Sequence, residues 1–576
     1  MRKVTSLLRF RRSILSTTSF ARMHSQRPAL EHPDQPPSKR CCLHTTTPPS
    51  SSTMPSSLAL PTPPTTTDQR PVISLTPEEE AVRKLLVDVA SKIDAGAPED
   101  GEPLTLRFTG GWVRDKLLGE QSHDIDVGIN KMTGFAFATR LSQFLMEKQD
   151  DYNIPARSIH KIESNPEKSK HLETATTKIL GLDIDFVNLR SETYTDDSRI
   201  PQMEFGTPVQ DALRRDACVN ALFYNIHTQE VEDFTGRGLE DMKTHLIRTP
   251  LPPFETFNDD PLRVLRLIRF SSRLGFTIVD EAKEAMQHPE IKKALRTKIS
   301  RERVGIEIEK MLQGRYPYAA LSQIYSLTLF DAVFTPPIDN IPALPTANMS
   351  SAIAIVQHII STSDSNRYAN LRTLADGKAE QYVAWLLASL SPWKGHIFPG
   401  ADTRKNIPAA ATAAREGLKM MTKIYNTIIS SYRNFSRIQD TVQRDTTEQM
   451  TRSKAGMFVR KLGADWKSQY LCALVLEATP LWGEGESTPT PEAEKVLDKY
   501  SALLARINDQ GLEEAHAFKP ILNGKELMIT LEQQISGPWI MVALDLLMEW
   551  QLGNPNEGRE RAEEWVRENK EKLLSS

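Results

Sequence analysis

Apolar residues recur at three- and four-residue steps through Val82, Leu85, Leu86 and Val89, behind Thr76, Pro77 and the acidic run Glu78 to Glu80. This spacing predicts a capped helix that opens the globular part of the chain near Leu75. From Leu104 to about Arg248 the pattern changes: short β-rich runs (LTLRF, HDIDVGI, GLDIDFVNL, ALFYNI) alternate with helical stretches such as Phe135 to Glu147. That alternation predicts an α/β or α+β sheet domain. After Pro261 the apolar runs have helical spacing, among them Tyr382 to Leu390, Leu418 to Tyr432, Pro491 to Ile507 and Trp539 to Trp550. No fixed-period repeat is visible, which disfavours a solenoid. No apolar run approaches the ~20 residues that span a bilayer.

Length and composition bound this picture. A chain of 576 residues has room for about three to five domains. Its 39% hydrophobic and 25% charged residues exclude a chain disordered throughout and a collagen-like or coiled-coil rod. Lys+Arg 71 against Asp+Glu 74 leaves a net charge of −3, so any polyanion must meet a local basic patch. Cys41, Cys42, Cys218 and Cys472 have neither disulfide-scaffold density nor a paired CxxC zinc spacing, and point to a reducing compartment without structural zinc.

Residues 1–30 carry Arg2, Lys3, Arg9, Arg11, Arg12, Arg22 and Arg27 and no acid, the composition of a mitochondrial presequence. A disordered basic tail is the alternative. Met23 and Met54 are internal starts that would remove most or all of that charge, so a mitochondrial long form with cytoplasmic and nuclear shorter forms is expected. Residues 31–71, rich in Pro, Ser and Thr, cannot bury enough surface to offset their ordering entropy and read as a linker.

The sharpest chemical signal is Gly110-Gly111 followed by Asp124-Ile125-Asp126-Val127. Residues two apart on a strand share a face, so both carboxylates emerge together, roughly 7 Å apart at Cα, with Ile125 and Val127 packed behind. Mg²⁺ takes one or two carboxylates plus substrate phosphates, and the glycine pair suits a turn whose amides approach a triphosphate, with Arg114 placed to add positive charge. A lone DxD is more often two solvated acids, and the glycine turn at this distance reverses those odds. No GxxxxGK[ST] follows a strand, and Gly236 and Gly238 fall in EDFTGRG rather than a GxGxxG turn, which leaves dinucleotide binding a weak reading.

These residues resemble the nucleotidyltransferase superfamily that includes DNA polymerase beta. The ordered runs Arg214 to Ala221, Asp233 to Asp241, Asp259-Asp260-Pro261-Leu262-Arg263 and the helix Ser300 to Leu312 narrow the resemblance to class II tRNA nucleotidyltransferases, the CCA-adding enzymes, of the eukaryotic, fungal-like type. The resemblance spans about Leu104 to Leu312. It implies an α+β fold: a nucleotidyltransferase head with a mixed β-sheet over residues 72–250, a helical neck that recognises the base over 251–340, and an all-α, tRNA-binding body and tail over 341–576.

The activity implied is template-independent addition of CCA to the tRNA 3′ end from CTP and ATP, with two Mg²⁺ ions. Asp124 and Asp126 would be the catalytic metal ligands and Asp185 a third catalytic carboxylate, with a structural or solvent-facing acid as its alternative. Gly110, Gly111, Arg114, Arg215, Asp216, Asn220, Asp260, Arg263 and Arg266 would bind nucleotide. In that set Asp216 would accept from the 2′-OH, while Arg215 would contact phosphate or orient Asp216.

Asp260 and Arg263, i,i+3 on one helix, would act as a pair reading the amine and ring nitrogen of cytosine or adenine. Asp260 at the N-cap with Pro261 at N1 also has a purely local reading as a helix start. Relatives often have Glu where this chain has Asp259, and Thr where it has Cys218. Arg266, Arg269 and Arg273 form a strip for phosphates or a solvated face. Arg404-Lys405, Lys419 to Lys423 and Arg452 to Lys467 are candidates for the tRNA elbow. The Pro201 to Gln210 stretch looks like part of the mobile element used in moving from C to A addition. A CC-only or A-only enzyme, a bacterial-type poly(A) polymerase and a non-catalytic tRNA-binding module are the alternatives, and neither a membrane nor an obligate protein partner is implied.

Overall fold

The computed structural model describes residues 71–98, 101–152, 160–162, 174–195, 198–338, 341–398 and 407–574. The expected presequence and all but the last residue of the expected linker lie outside them, as do Cys41, Cys42 and Arg404-Lys405.

Thr76 caps the helix Pro77–Ala95 in a reciprocal box with Glu79, as the spacing predicts. Glu79 is itself buried, accepting from the Trp112 indole at 3.2 Å and pairing with Lys116 at 2.7 Å. The first helix is thereby fastened to the segment that follows the glycine turn.

The strands are β1 (Leu106–Thr109), β2 (Asp124–Ile129), β3 (His160–Ile162), β4 (Thr174–Ile179), β5 (Leu182–Asn188), β6 (Arg190–Thr195), β7 (Ser198–Phe205), β8 (Leu222–Asn225), β9 (Glu230–Asp233), β10 (Leu246–Ile247) and β11 (Thr277–Ile278). Seven of them form one sheet in the order β3-β4-β5-β2-β1-β8-β9. In it β2 and β5 run parallel while β1 is antiparallel to both β2 and β8, so the sheet is mixed. A parallel pair needs a crossover, and the helix Gly134–Glu147 lies between β2 and β5 in sequence. Gly134 lets it lie close, since a Cβ there would stand 1.9 Å from the Phe186 carbonyl oxygen of β5. The Pro201 to Gln210 stretch, expected to be part of a mobile element, holds the second half of β7, which pairs antiparallel with β6, and the start of the helix Pro208–Leu213.

Beyond the sheet the described chain is helical, with one exception to the expectation: β11 pairs in parallel with β10 and ties the neck back to the head. The runs expected as helices are Lys378–Ser389, Thr422–Arg433, Pro491–Asp509 and Trp539–Gly553. The second starts later than its apolar pattern suggested. Residues 419–421 fall outside helix just after the Gly417 carbonyl meets Arg301 Nε at 2.6 Å and Leu418 covers Gly305. One apolar core runs from Ile73 to Leu552 without a break at residues 250 or 340, and the end of the chain has a core of its own around Leu527, Leu547 and Val566.

Candidate active site

On β2 the burial alternates as the sequence pattern requires, with Ile125 and Val127 fully buried and Asp124 and Asp126 on the open face. Thr109 of β1 stands opposite Asp126, and the next residue, Gly110, turns the chain at φ 76. A side chain there would be strained by that φ, and its Cβ would lie 2.9 Å from Arg215 Nη1, which would have to move. Gly111 then opens the short helix Gly111–Leu117. The parallel register sets Asp185 beside Asp126 and Asp183 beside Asp124. Asp183 pairs with Lys178 at 3.1 Å.

Two of these carboxylates are short of compensating charge. Loss of water to the surrounding protein raises Asp126, and Asp185, Asp124 and Asp211 add to this against the pull of Arg215, so that it is pushed up to about 6. Asp124 is raised by desolvation and then by Asp185 and Asp183. A cluster of acids at mutual cost suits a cation. Among the described residues no group of three or more His, Cys, Asp or Glu is arranged to hold an ion by itself; hard divalent ions accept one or two carboxylates together with substrate oxygens.

The arginines expected to meet nucleotide are each engaged by protein. Arg215 does not orient Asp216: its Nε and Nη2 go to Asp211 Oδ2 at 3.1 and 2.9 Å, its Nη1 to the Asn220 carbonyl at 3.0 Å, and Nη2 also to Thr109. Asp216 is held instead by Arg266 Nε at 2.5 Å and by Asn220 Nδ2 at 3.3 Å. Burial raises its carboxyl, Arg266 outweighs the burial, and the group rests at about 2. Arg114 corrects the expectation of a phosphate-facing charge. It is 3% exposed, bound through Nε and Nη2 to Asp115 Oδ1 and through Nη1 to Asn220.

The neck helix Leu262–Leu274 begins one residue later than expected, yet Asp260 still caps it, Oδ1 accepting from the Leu262 amide at 3.2 Å. Asp260 and Arg263, expected to read the base together, each also meet protein groups. Asp260 Oδ2 takes Arg303 Nη2 at 3.0 Å, from the helix Arg301–Leu312, and Arg263 Nη2 donates to the Arg214 carbonyl at 2.7 Å. The arginine strip is paired with acids while Arg266 and Arg273 stay partly solvated: Arg266 meets Asp216, Arg269 meets Glu307 at 2.6 Å and Arg273 meets Asp115 at 3.1 Å.

In the C-terminal half, Lys419 pairs with Glu416, Arg452 donates to the Gln510 carbonyl and Arg460 to that of Phe518. Those arginines fasten the tail. A cleft lined by Arg269, Arg273, Lys310, Arg315 and Tyr316 was only half legible beforehand, because its charges come from two segments far apart in the sequence, of which the first alone stood out as a basic strip. Arg315 lies over the half-exposed Tyr316 ring, 5.2 Å from its centroid. Asp211 was missed too, although its place four residues before Arg215 was a usable signal. Cys218 is buried and its thiol is pushed up to about 12 by burial.

A family model described as the poly A polymerase head domain matches residues 106–248, and one described as the probable RNA and SrmB-binding site of polymerase A matches 275–341. Among solved structures, an apo CCA-adding enzyme superposes with TM-score 0.59 at 18% identity, over 85% of this chain and 96% of that one. A Thermotoga maritima CCA-adding enzyme complexed with tRNA superposes with TM-score 0.55 at 19% identity, over 85% and 95%. These likenesses establish the fold.

The nucleotidyltransferase lcsQ of Purpureocillium lilacinum is 39% identical over 86% of this chain and 91% of its own length. The mitochondrial CCA tRNA nucleotidyltransferase of Candida glabrata is 39% identical over 84% of this chain and 94% of its own, and that of Saccharomyces cerevisiae 39% over 84% and 92%. Identity at that level over more than four-fifths of its length makes this chain a member of the tRNA nucleotidyltransferase family.

Proposed function

We propose that this enzyme completes tRNA 3′ ends, adding cytidine, cytidine and adenosine from CTP and ATP without a nucleic-acid template. The observation that carries the reading is the juxtaposition of Asp124, Asp126 and Asp185 on two parallel strands beside the left-handed Gly110 turn, in a chain whose full-length relatives bear that activity in their names. Asp124 and Asp126, with Asp185 alongside, would hold Mg²⁺. Bound there, two such ions supply the charge that stabilises the attacking and leaving oxygens of nucleotidyl transfer.

The chain's own groups do the rest. Asp216, ionised and held on one side by Arg266, accepts the ribose 2′-OH. Asp260 accepts the exocyclic amine of cytosine or adenine, and Arg263 donates to the adjacent ring nitrogen. Guanine and uracil would set a carbonyl against the carboxylate and leave it unpaired, at about 1 to 3 kcal/mol. The tRNA is the second substrate, and the cleft with Lys310, Arg315 and Tyr316 supports an RNA strand passing the neck, since cations beside an exposed aromatic ring suit single-stranded RNA.

Incubating the protein with tRNA ending at the discriminator base and each triphosphate singly, then sequencing the 3′ ends, tests the reading. CCA from CTP and ATP is expected, and a poly(A) tail on unrelated RNA would refute it. A divided reaction is the second reading, because Schizosaccharomyces pombe carries two relatives, each 36% identical to this chain. In that case the ends stop at CC, or A is added only to tRNA already ending in CC.

The mitochondrion is the proposed site of the long form, in keeping with the names of the relatives and the acid-free basic composition of residues 1–30. Forms beginning at Met23 or Met54 are proposed for cytoplasm and nucleus. Fluorescent fusions from each methionine decide this, and a Met1 form with Met23 and Met54 replaced that stays out of mitochondria would refute it.

A further inference from the structure

Six side chains close a hydrogen-bonded circuit that begins and ends on the neck helix. Arg266 Nε donates to Asp216 Oδ2 at 2.5 Å, and Asp216 Oδ1 accepts from Asn220 Nδ2 at 3.3 Å. Asn220 Oδ1 accepts from Arg114 Nη1, and Arg114 Nε and Nη2 donate to Asp115 Oδ1 at 2.8 and 2.6 Å. Asp115 Oδ2 in turn accepts from Arg273 Nη2 at 3.1 Å.

Arg273 stands about two turns beyond Arg266 on the same helix. Phe270 lies between them, with the Arg114 and Arg266 guanidinium carbons 5.9 and 5.5 Å from its ring centroid. The circuit therefore laces together the helix after the glycine turn, the tight turn Cys218–Asn220 and the neck.

Its chemistry has a direction. Arginine carries donors alone, so Asn220 must offer Arg114 its oxygen, and its amide nitrogen is then left facing Asp216. Arg114 can hold Asn220 in that sense only while its own fork is fixed, and Asp115 fixes it through two bonds on the far side. Asp115 is 5% exposed and lies at the end of the circuit away from Asp216.

We propose that Asp115 and Arg273 are positioning residues for nucleotide recognition. Through Arg114 and Asn220 they set the orientation of the Asp216 carboxylate, and with it the preference for a ribonucleotide over a 2′-deoxynucleotide. The inference rests on the reading of Asp216 as acceptor of the 2′-OH. Without Asp115 the Asn220 amide is free to turn, and Asp216 keeps its bond to Arg266 but loses the second hold that fixes its plane. The lone pairs left for the substrate hydroxyl then no longer point one way.

The test uses the full chain and the ratio of kcat/KM for CTP to that for 2′-deoxy-CTP, with a melting curve for every variant. Asp216→Asn should collapse the ratio. Asp115→Asn should lower it about tenfold, the scale of one charge-assisted hydrogen bond. Arg273→Gln should lower it about threefold and Arg273→Lys should restore most of it. Because Asp115→Asn leaves a buried arginine short of its counter-ion and can fail to fold, Arg273→Gln, at the half-exposed end of the circuit, carries the test by itself.

A ratio that falls in Asp216→Asn but stays at the wild-type value in Arg273→Gln and Asp115→Asn, whatever their melting temperatures, overturns the positioning role and leaves the proposed function standing. A ratio unchanged in Asp216→Asn overturns the ribose reading and the inference with it.

Discussion

At the residue scale the charges at the site divide into acids held at a cost and acids held with gain. Asp126 is held at a cost, by loss of water first and by neighbouring carboxylates after it, so Asp126→Asn should end incorporation and yet raise the melting temperature in chelator, because it removes a poorly solvated charge while keeping the shape. A variant that loses activity and stability together would contradict the crowding. Asp216 is the opposite case. Its carboxyl rests at about 2 when folded, against about 3.9 when unfolded, so the unfolded chain binds more protons between those values. Its contribution, on the order of 2 kcal/mol, is present above about pH 4 and is lost as pH falls toward 2. Arg266→Met should flatten that part of the acid limb, measured as urea midpoint against pH from 2 to 5. Asp260→Ala should relax rejection of UTP and GTP more than it weakens triphosphate binding, read as single-nucleotide incorporation. An unchanged spectrum would leave Asp260 as a helix cap tied to Arg303.

Elements meet here through glycines that admit backbone and arginines that gather carbonyls. In the helix Arg301–Leu312, a Cβ on Gly305 would stand 1.9 Å from the Leu418 carbonyl oxygen. One turn earlier, the buried Arg301 donates to the carbonyls of Gly417, Ala332 and Val333. Burial lowers this guanidinium to about 10, and carbonyl oxygens rather than a carboxylate satisfy it. Gly305→Ala should therefore push residues 417–418 off the helix and destabilise by about 3 kcal/mol, in the range of overpacked cores, seen as a lower denaturant midpoint. The same helix carries Arg303 to Asp260 and Glu307 to Arg269, so loss of nucleotide selectivity should accompany the loss of stability.

Over the whole molecule the net charge of −3 hides a local basic cleft on the neck. Lys310→Ala with Arg315→Ala should weaken tRNA binding and reduce the slope of log K against log salt by roughly 1 to 2, since each phosphate contact contributes about 0.7 to 0.9. The KM for CTP should stay near wild type. A slope that does not move would remove RNA from that cleft. The continuous core from the sheet to the body packs the neck, with Asp260, Arg263 and this surface, against both.

What the sequence by itself determined follows from local periodicity. Alternation by two put Asp124 and Asp126 on one face of a strand. Thr76 with Pro77 marked a helix start, and paired glycines at the end of a strand marked a turn, which Gly110 makes at positive φ. The order of motifs was enough for the family and the course of the head, neck and helical remainder. Partnerships across long separations were decided by the tertiary structure alone. Asp185 stands beside Asp126 because β5 joins β2 in parallel and in that register, and a strand's own residues do not encode its neighbour. Arg215 turned to Asp211, Arg266 to Asp216, and Asp260 to Arg303. Each of these groups had several oppositely charged candidates in the sequence, and burial settled which one met it: a charge withdrawn from water must be paired where the chain brings a counter-charge within reach.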